Sequence, residues 1–318
     1  MTETNPPYAE RDIRVEDVAL VCDHRERMFL EAGHHPGILT TMTEHFRPWL
    51  RDQIERGTKM GRPLYEISRL EARDRDGVRR TRNPPMSENV VGNLAQQVEY
   101  YRARASEYDE WWFRKGRYDR GPELNAQWFS DIEELDAALR DFAPRGKVLE
   151  LAGGTGIWTE KLCGYADELT VVDASSEMLA LNEKRIGPGR ARYVQANLFD
   201  WAPPAQFDVV FFSFWLSRVP DARFESFWRL VRTALAPEGR VFFIDSRKDP
   251  TSTSPDQHPP ESGSIVERRL NDGRTFNIYK IYYEPEALRA KLGRLGWNAD
   301  VRSTSRYFIY GRCSTADT

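Results

Sequence analysis

From about residue 94 onward the chain alternates between two hydrophobic rhythms. Short β-rich runs at Lys147–Leu151, Leu169–Asp173, Ala191–Gln195, Phe207–Ser213 and Arg240–Asp245 are separated by helical stretches punctuated with Gly and Pro. Strands spaced by helices in this way predict βαβ units and a parallel sheet. Further on, Asn271-Asp272-Gly273 signals a turn into a run from Thr275 to Tyr283. A helix from Pro285 to about Leu295 and two runs, Asp300–Ser303 and Arg306–Tyr310, complete the pattern. The stretch from Ser246 to Ser264 holds Pro250, Pro255, Pro259 and Pro260 among Ser and Thr residues. It is too long and polar for a simple crossover, so it is predicted to act as a lid.

The first part of the chain has another texture. After a short strand at Asp12–Val15, apolar residues recur at helical spacing: Val18, Val21, Cys22, Met28 and Phe29, then Met42, Phe46, Trp49, Leu50 and Ile54. Gly33-His34-His35-Pro36-Gly37 breaks the two helices apart. Residues 57–93 are rich in Arg, Gly and Pro and read as a linker. The expected organisation is a small helical segment over 1–56, a linker over 57–93 and an α/β domain over 94–318.

Length and charge narrow the partners. At ~150 residues per domain, 318 residues allow two. A formal charge of -3 gives no global attraction to nucleic acid or to an anionic membrane, which favours a small-molecule partner. No apolar run approaches the ~20 residues needed to span a bilayer, and the N-terminus is too polar for a signal peptide. Cys22, Cys163 and Cys313 are odd in number and widely spaced, as expected of reduced thiols in a cytoplasmic protein. The oligomeric state is left open.

The strongest chemical signal is Val148-Leu149-Glu150-Leu151-Ala152-Gly153-Gly154-Thr155-Gly156. An apolar strand enters a glycine-rich turn, and a helix opens at Ile157. Such glycines let a ligand approach the backbone in front of a helix N-terminus. Asp173 closes the next strand, where a carboxylate accepts hydrogen bonds from ribose hydroxyls. A dinucleotide fingerprint would need glycine where Thr159 stands, and no GxxxxGK[ST] occurs, which disfavours NAD and ATP.

On these residues the chain resembles the class I S-adenosylmethionine-dependent methyltransferases. Glu150 to Gly156 is similar to their first motif, with Ala152 in place of the first glycine. Leu169 to Leu179, including Asp173, Ala174 and Met178, resembles the second. Gln195-Ala196-Asn197-Leu198 falls where the family contacts adenine. Phe207 to Trp215 resembles the fourth strand, with Ser213 at its end, and Leu235 to Phe243 the turn into the fifth. The resemblance spans about residues 95–312. It implies a Rossmann-like, mostly parallel seven-stranded sheet with helices on both faces, the last strand antiparallel. It also implies S-adenosylmethionine bound by Glu150, Ala152, Gly153, Gly154, Gly156, Asp173, Ala174, Met178, Asn197, Leu198 and Ser213. The segment from Tyr100 to Trp112 is expected to fold over the cofactor, with the pair Tyr108-Asp109 near the site.

The acceptor side is less determined. A methyl on a sulfonium is already activated, so the protein has to align a nucleophile with it. Tyr108, Trp112, Phe214 and Trp215 are candidates to attract the cation with their ring faces. Together with Arg218, Tyr108, Trp112 and Trp215 are the candidates for positioning the acceptor. Arg218 stands where relatives often carry His; it is no base at neutral pH but can pair with a substrate carboxylate. No general base stands out, and no His/Asp/Glu ligand cluster marks a metal site. A methyltransferase fold that binds cofactor without turnover is the rival reading.

Three features point elsewhere. Asn5-Pro6-Pro7-Tyr8 and Asn83-Pro84-Pro85-Met86 evoke amino-group methyltransferases but do not follow an apolar strand, and Ser213-Phe214-Trp215-Leu216 holds the place that motif needs. Residues 11–56 resemble the opening of GNAT-type acetyltransferases without the pyrophosphate loop that follows in that family. His24, His34, His35 and His45 all lie there and read as surface or packing residues.

Overall fold

The structure is a computed structural model that describes residues 88–257 and 263–316, together with residues 18, 19, 22, 47, 48, 51 and 55, all helical. Apart from those seven positions, the acetyltransferase-like segment, the four histidines, both Asn-Pro-Pro stretches and most of the linker lie outside the described residues. The chain divides into two compact units at residues 88 and 89. Everything that follows concerns the second.

Helix α1 (Glu88–Arg104) opens it, so residues 88–93, read from sequence as linker, are the first turns of a helix. The short α2 (Tyr108–Trp112) and the long α3 (Pro122–Phe142) follow. Strands and helices then alternate as β1 (Lys147–Leu151), α4 (Ile157–Leu162), β2 (Glu168–Asp173), α5 (Ser176–Ile186) and β3 (Arg192–Gln195). β4 (Phe207–Ser213), α6 (Asp221–Ala234) and β5 (Leu235–Ser246) continue the alternation. A separate hairpin, β6 (Ile265–Arg269) and β7 (Thr275–Tyr279), precedes α7 (Pro285–Gly293), β8 (Trp297–Ser303) and β9 (Phe308–Thr315).

Seven strands form one sheet in the order β3-β2-β1-β4-β5-β9-β8. β1 to β5 pair in parallel, and β9 runs antiparallel to both its neighbours. Strand alternation explains how both faces are covered, since successive side chains point to opposite sides. Val148, Val209, Phe211, Phe242 and Ile244 share a core with Trp128, Leu135 and Leu139 of α3. Leu149, Val210, Phe212, Val241 and Phe243 share the other with Phe227, Trp228 and Val231 of α6 and Leu288 of α7. The consecutive apolar runs Val209–Phe212 of β4 and Val241–Ile244 of β5 therefore mark strands buried on both faces.

The hairpin differs from the sequence reading, which took the stretch after Gly273 alone as a strand and missed Ile265–Arg269. That segment alternates exposed and buried, with Val266, Arg268 and Leu270 on the inner side. It packs with Tyr100 of α1 and Ile278 of β7 as a satellite core. Gln97 of α1 fastens the three parts: its Oε1 accepts from Tyr279 N (3.1 Å) and its Nε2 donates to Arg218 O (3.2 Å). Among the described residues no helix is long and apolar enough to cross a membrane.

Candidate active site

The C-terminal ends of β1, β2, β4 and β5 open on the same edge of the sheet, where open α/β sheets bind their ligands. At the end of β1 the chain passes through left-handed backbone at Ala152 (φ 55°), Gly154 (φ 55°) and Gly156 (φ 89°). A Cβ on Gly153 would stand 2.3 Å from Val171 Cγ1, and one on Gly156 would stand 2.9 Å from Asn182 Oδ1. A Cβ on Gly154 would meet nothing within 4 Å. Two glycines thus let the loop press against the protein, while the third leaves backbone bare on the outer side. That open cradle is the shape a cofactor needs to lie against the loop. Ala152 tolerates a conformation that favours glycine, a cost of about 1 kcal/mol.

Asp173 is half-buried at the end of β2, where its Oδ2 accepts from Gly154 N (3.0 Å) and its Oδ1 from Ser175 N (2.9 Å). Burial raises its pKa against the pull of those donors. One carboxylate thereby joins the glycine loop to the start of α5, beside the ribose position expected from sequence. Glu150 is buried, and its Oε2 accepts from Thr159 Oγ1 at 2.6 Å. Burial pushes its carboxyl up to about 8, against the lowering effect of the Thr159 hydroxyl. Asn182, unremarked in the sequence, donates from Nδ2 to Gly153 O, Gly154 O and Thr159 Oγ1, and accepts from Tyr193 OH. It is the side chain that pins the loop from below.

The remaining cofactor candidates divide between edge and core. Ala174 follows Asp173, and its carbonyl accepts from Gln195 Nε2 (3.3 Å). Asn197 is exposed, folded into a local turn in which Oδ1 accepts from Phe199 N and Nδ2 donates to Asp200. Ser213 is half-buried at the end of β4. Met178 and Leu198 are buried, at 1% and 5% exposure, so they support the floor rather than its surface.

A second cavity, with about 490 Å³ of open space, lies beside this edge. Tyr101, Arg104, Tyr108 and Trp111 line it from the leading segment, and Phe214 and Arg218 from the turn after β4. Ser246, Ser252, Thr253 and Gln257 come from the proline-rich stretch, and Arg268, Lys280 and Tyr282 from the hairpin. Arg104 and Arg218 are 7% and 8% exposed, and the Nε of each has no hydrogen-bond partner. Arg218 is anchored through Nη1 to Tyr279 O (2.7 Å). Burial and the charge of Arg218 bring the Lys280 ammonium down to about 7. Among the described residues lining the cavity there is no carboxylate.

Adjacent residues of α2 serve both sites. Tyr108 faces the cavity. Asp109 accepts from Thr155 Oγ1 (2.6 Å) in the glycine loop and pairs with Arg185 of α5, which also donates to Thr155 O (2.8 Å). The leading segment therefore lies over the glycine loop, as the resemblance implied. The stretch after β5 is tied to it: Trp111 Nε1 donates to Ser252 O (2.7 Å) and Arg114 Nη2 to Thr251 O (2.8 Å).

Of the four acceptor-side candidates, Tyr108 and Arg218 line the cavity and two do not. Trp112 is 4% exposed and packs on Trp128, Trp158, Phe214 and Phe308 in the core. One residue is about 100° of helical turn, so its neighbour Trp111 takes the cavity side. Trp215 turns toward Phe199 and Phe227, away from the cavity. Phe214 does reach the cavity, held at φ 54° with its N–H on Ile244 O (2.8 Å). Sequence reasoning passed over Arg104, Arg268 and Lys280. For Arg268 a signal existed: a cation in the buried register of an alternating strand. Among the described residues there is no cluster of three or more His, Cys, Asp or Glu that could hold a metal ion.

Comparison with known proteins agrees with this geometry. A family described as "Methyltransferase domain" matches residues 148–239. The structure of a DhpI–SAH complex is 40% identical, with a TM-score of 0.57 over 71% of this chain and 98% of that one. A DhpI–SAM–HEP complex is also 40% identical, with a TM-score of 0.58 over 72% of this chain and 99% of that one. A methyltransferase from Clostridium acetobutylicum is 16% identical, with a TM-score of 0.48 over 67% of this chain and 99% of that one. No curated protein matches the sequence. With its glycine cradle, its acid at the end of β2 and a full-length relative at this identity, the chain belongs to the class I S-adenosylmethionine-dependent methyltransferases, enzymes that use S-adenosylmethionine as methyl donor.

Proposed function

We propose that this enzyme methylates an oxyanion of a small, anionic acceptor bound in the cavity beside the cofactor loop. The observation that carries this reading is the pair Arg104 and Arg218, more than nine-tenths buried with an unpartnered Nε on each, in a cavity shared with Arg268 and Lys280. Buried charge is costly unless an opposite charge meets it. Among the described lining residues there is no carboxylate, and an anionic ligand supplies the opposite charge.

The chemistry fits the same reading. S-adenosylmethionine supplies a methyl group activated by its sulfonium. An acceptor oxygen that is already anionic needs no proton removed, so the transfer does not call for a general base. The arginines hold and orient the acceptor through donors in fixed planar geometry. Tyr108, Trp111 and Phe214 place ring faces or edges toward the cavity, where they attract the cationic donor and exclude water. Segments from the leading helices, the turn after β4 and the stretch after β5 enclose the cavity, which limits the acceptor to a compact molecule.

The test is a labelled-methyl screen of metabolite pools separated by charge on an anion exchanger. Label should enter the anionic fraction, in a product that elutes earlier than its precursor because methylation removes one negative charge. Label entering only products of neutral or cationic precursors, or products that keep the full negative charge of their precursor, would overturn the reading in favour of transfer to nitrogen or carbon.

A further inference from the structure

Lys280 is the odd member of the cation cluster. It follows β7, is 4% exposed, and its Nζ sits 3.1 Å from Ser217 Oγ and 3.5 Å from Asp245 Oδ1. Among the described residues, several elements surround the amine. Asp245 comes from β5, Ser217 and Arg218 from the turn after β4, Arg268 from β6, and Tyr282 from the segment after β7, its ring centroid 4.9 Å away. Tyr101 and Arg104 of α1 line the same cavity. Asp245 is already engaged, since Oδ2 accepts from Ser217 N and Oδ1 from Ser246 N, both at 2.7 Å. Among the described residues, Asp245 is the carboxylate that faces this amine and the guanidiniums beside it. The arginines keep their charge at any physiological pH, so the amine is the cation in this cluster that can shed a proton.

Resting on the anionic-acceptor reading, we propose that Lys280 couples acceptor binding to proton uptake. Its amine takes a proton from solvent when an oxyanion enters the cavity and returns it to solvent as the less charged methylated product leaves. The geometry supplies the reason. Without a ligand, burial and Arg218 hold the lysine near 7. An oxyanion among Lys280, Arg218 and Arg268 adds a second negative charge to that of Asp245 and draws the amine's pKa back toward the ordinary lysine value of about 10.4. The bound state therefore holds more protons than the free state. Linkage then requires affinity to be flat well below pH 7 and to fall about tenfold per pH unit above it. A product carrying one negative charge fewer holds the proton less firmly, which favours its release.

Inorganic sulfate is the suitable probe, because it stays dianionic across the window and brings no titration of its own. Its binding to the full chain, saturated with S-adenosylhomocysteine, is measured by calorimetry between pH 6 and 9 in two buffers of unlike ionisation enthalpy. The expected result at pH 8.5 is uptake of close to one proton per site, with affinity falling about tenfold per unit. Lys280→Arg keeps the charge and should show neither uptake nor slope, whereas Lys280→Met should bind weakly at every pH. S-adenosylhomocysteine affinity in each variant checks that the fold is intact, and the wild-type buffer comparison stands without any variant. Sulfate binding without proton uptake, or uptake that persists in Lys280→Arg, overturns the proposal alone. No sulfate binding at pH 6, with S-adenosylhomocysteine still bound, overturns the anionic-acceptor reading and this proposal with it.

Discussion

The two halves of the site are built on different principles. The cofactor half is made of backbone: one glycine-rich loop between β1 and α4, an acid one strand later, and buried supports at Asn182 and Thr159. Most of it comes from one stretch of about forty residues. The half proposed to hold the acceptor is made of side chains carried by α1, α2, the turn after β4, the stretch after β5 and a hairpin that stands outside the main sheet. Backbone approach demands glycine at fixed spacing, so it leaves a signature. A cation cluster demands only that arginines and lysines meet in space, and in a chain with 46 of them no spacing marks the ones that do.

If the halves are as separate as this contrast suggests, substitutions should divide cleanly between them. The largest effect is expected for Arg218→Met, a loss of about 10²–10³-fold in acceptor kcat/KM, because a buried charge partner is removed. S-adenosylmethionine affinity should stay within about twofold by calorimetry; a parallel collapse would show that Arg218 supports the fold rather than the acceptor. Next comes Asp173→Ala, which removes a charged acceptor and should weaken S-adenosylmethionine about 10–100-fold. Sulfate affinity in the same variant should be unchanged when S-adenosylhomocysteine is saturating.

Asp109 is where the contrast should fail. It sits beside Tyr108 and holds Thr155 and Arg185, so Asp109→Asn should move both cofactor Kd and acceptor KM, each by about 3–10-fold. A change in only one would mean that α2 serves that half alone. The smallest effect should appear in stability. Glu150 is held up to about 8 by burial, against about 4.3 unfolded, so the native state keeps a proton that the unfolded chain gives up between those values. Its contribution is complete below about pH 4 and fades as pH rises toward 8. Glu150→Gln cannot ionise, and its melting temperature should gain steadily on the wild type as pH rises from 5 to 8, by roughly 2–4 °C for each kcal/mol that ionisation costs the native state. Parallel melting curves for the two proteins would refute the assignment.

Particular residues show how legibility broke down. Trp111 and Trp112 are chemically identical in sequence, and only the helical phase of α2 sends one to the cavity and the other into the aromatic core. Arg218 carried an ambiguous signal as a loop arginine; its burial and its bond to Tyr279 O are properties of the docked hairpin. Ile265–Arg269 escaped notice as a strand because its pairing partner, Thr275–Tyr279, completes a ladder that neither segment forms alone.

The sequence by itself determined the alternation of strands and helices, the glycine loop, the acid at Asp173 and the family, since each rests on local periodicity or on backbone geometry that only certain residues permit. The tertiary structure decided the acceptor cavity: Arg104, Arg218, Arg268 and Lys280 lie up to 176 positions apart along the chain and share a cavity because α1 and the hairpin pack together over the turn after β4. Charge is a long-range property of side chains, indifferent to neighbours in sequence, and the fold alone chooses which charges are taken out of water together.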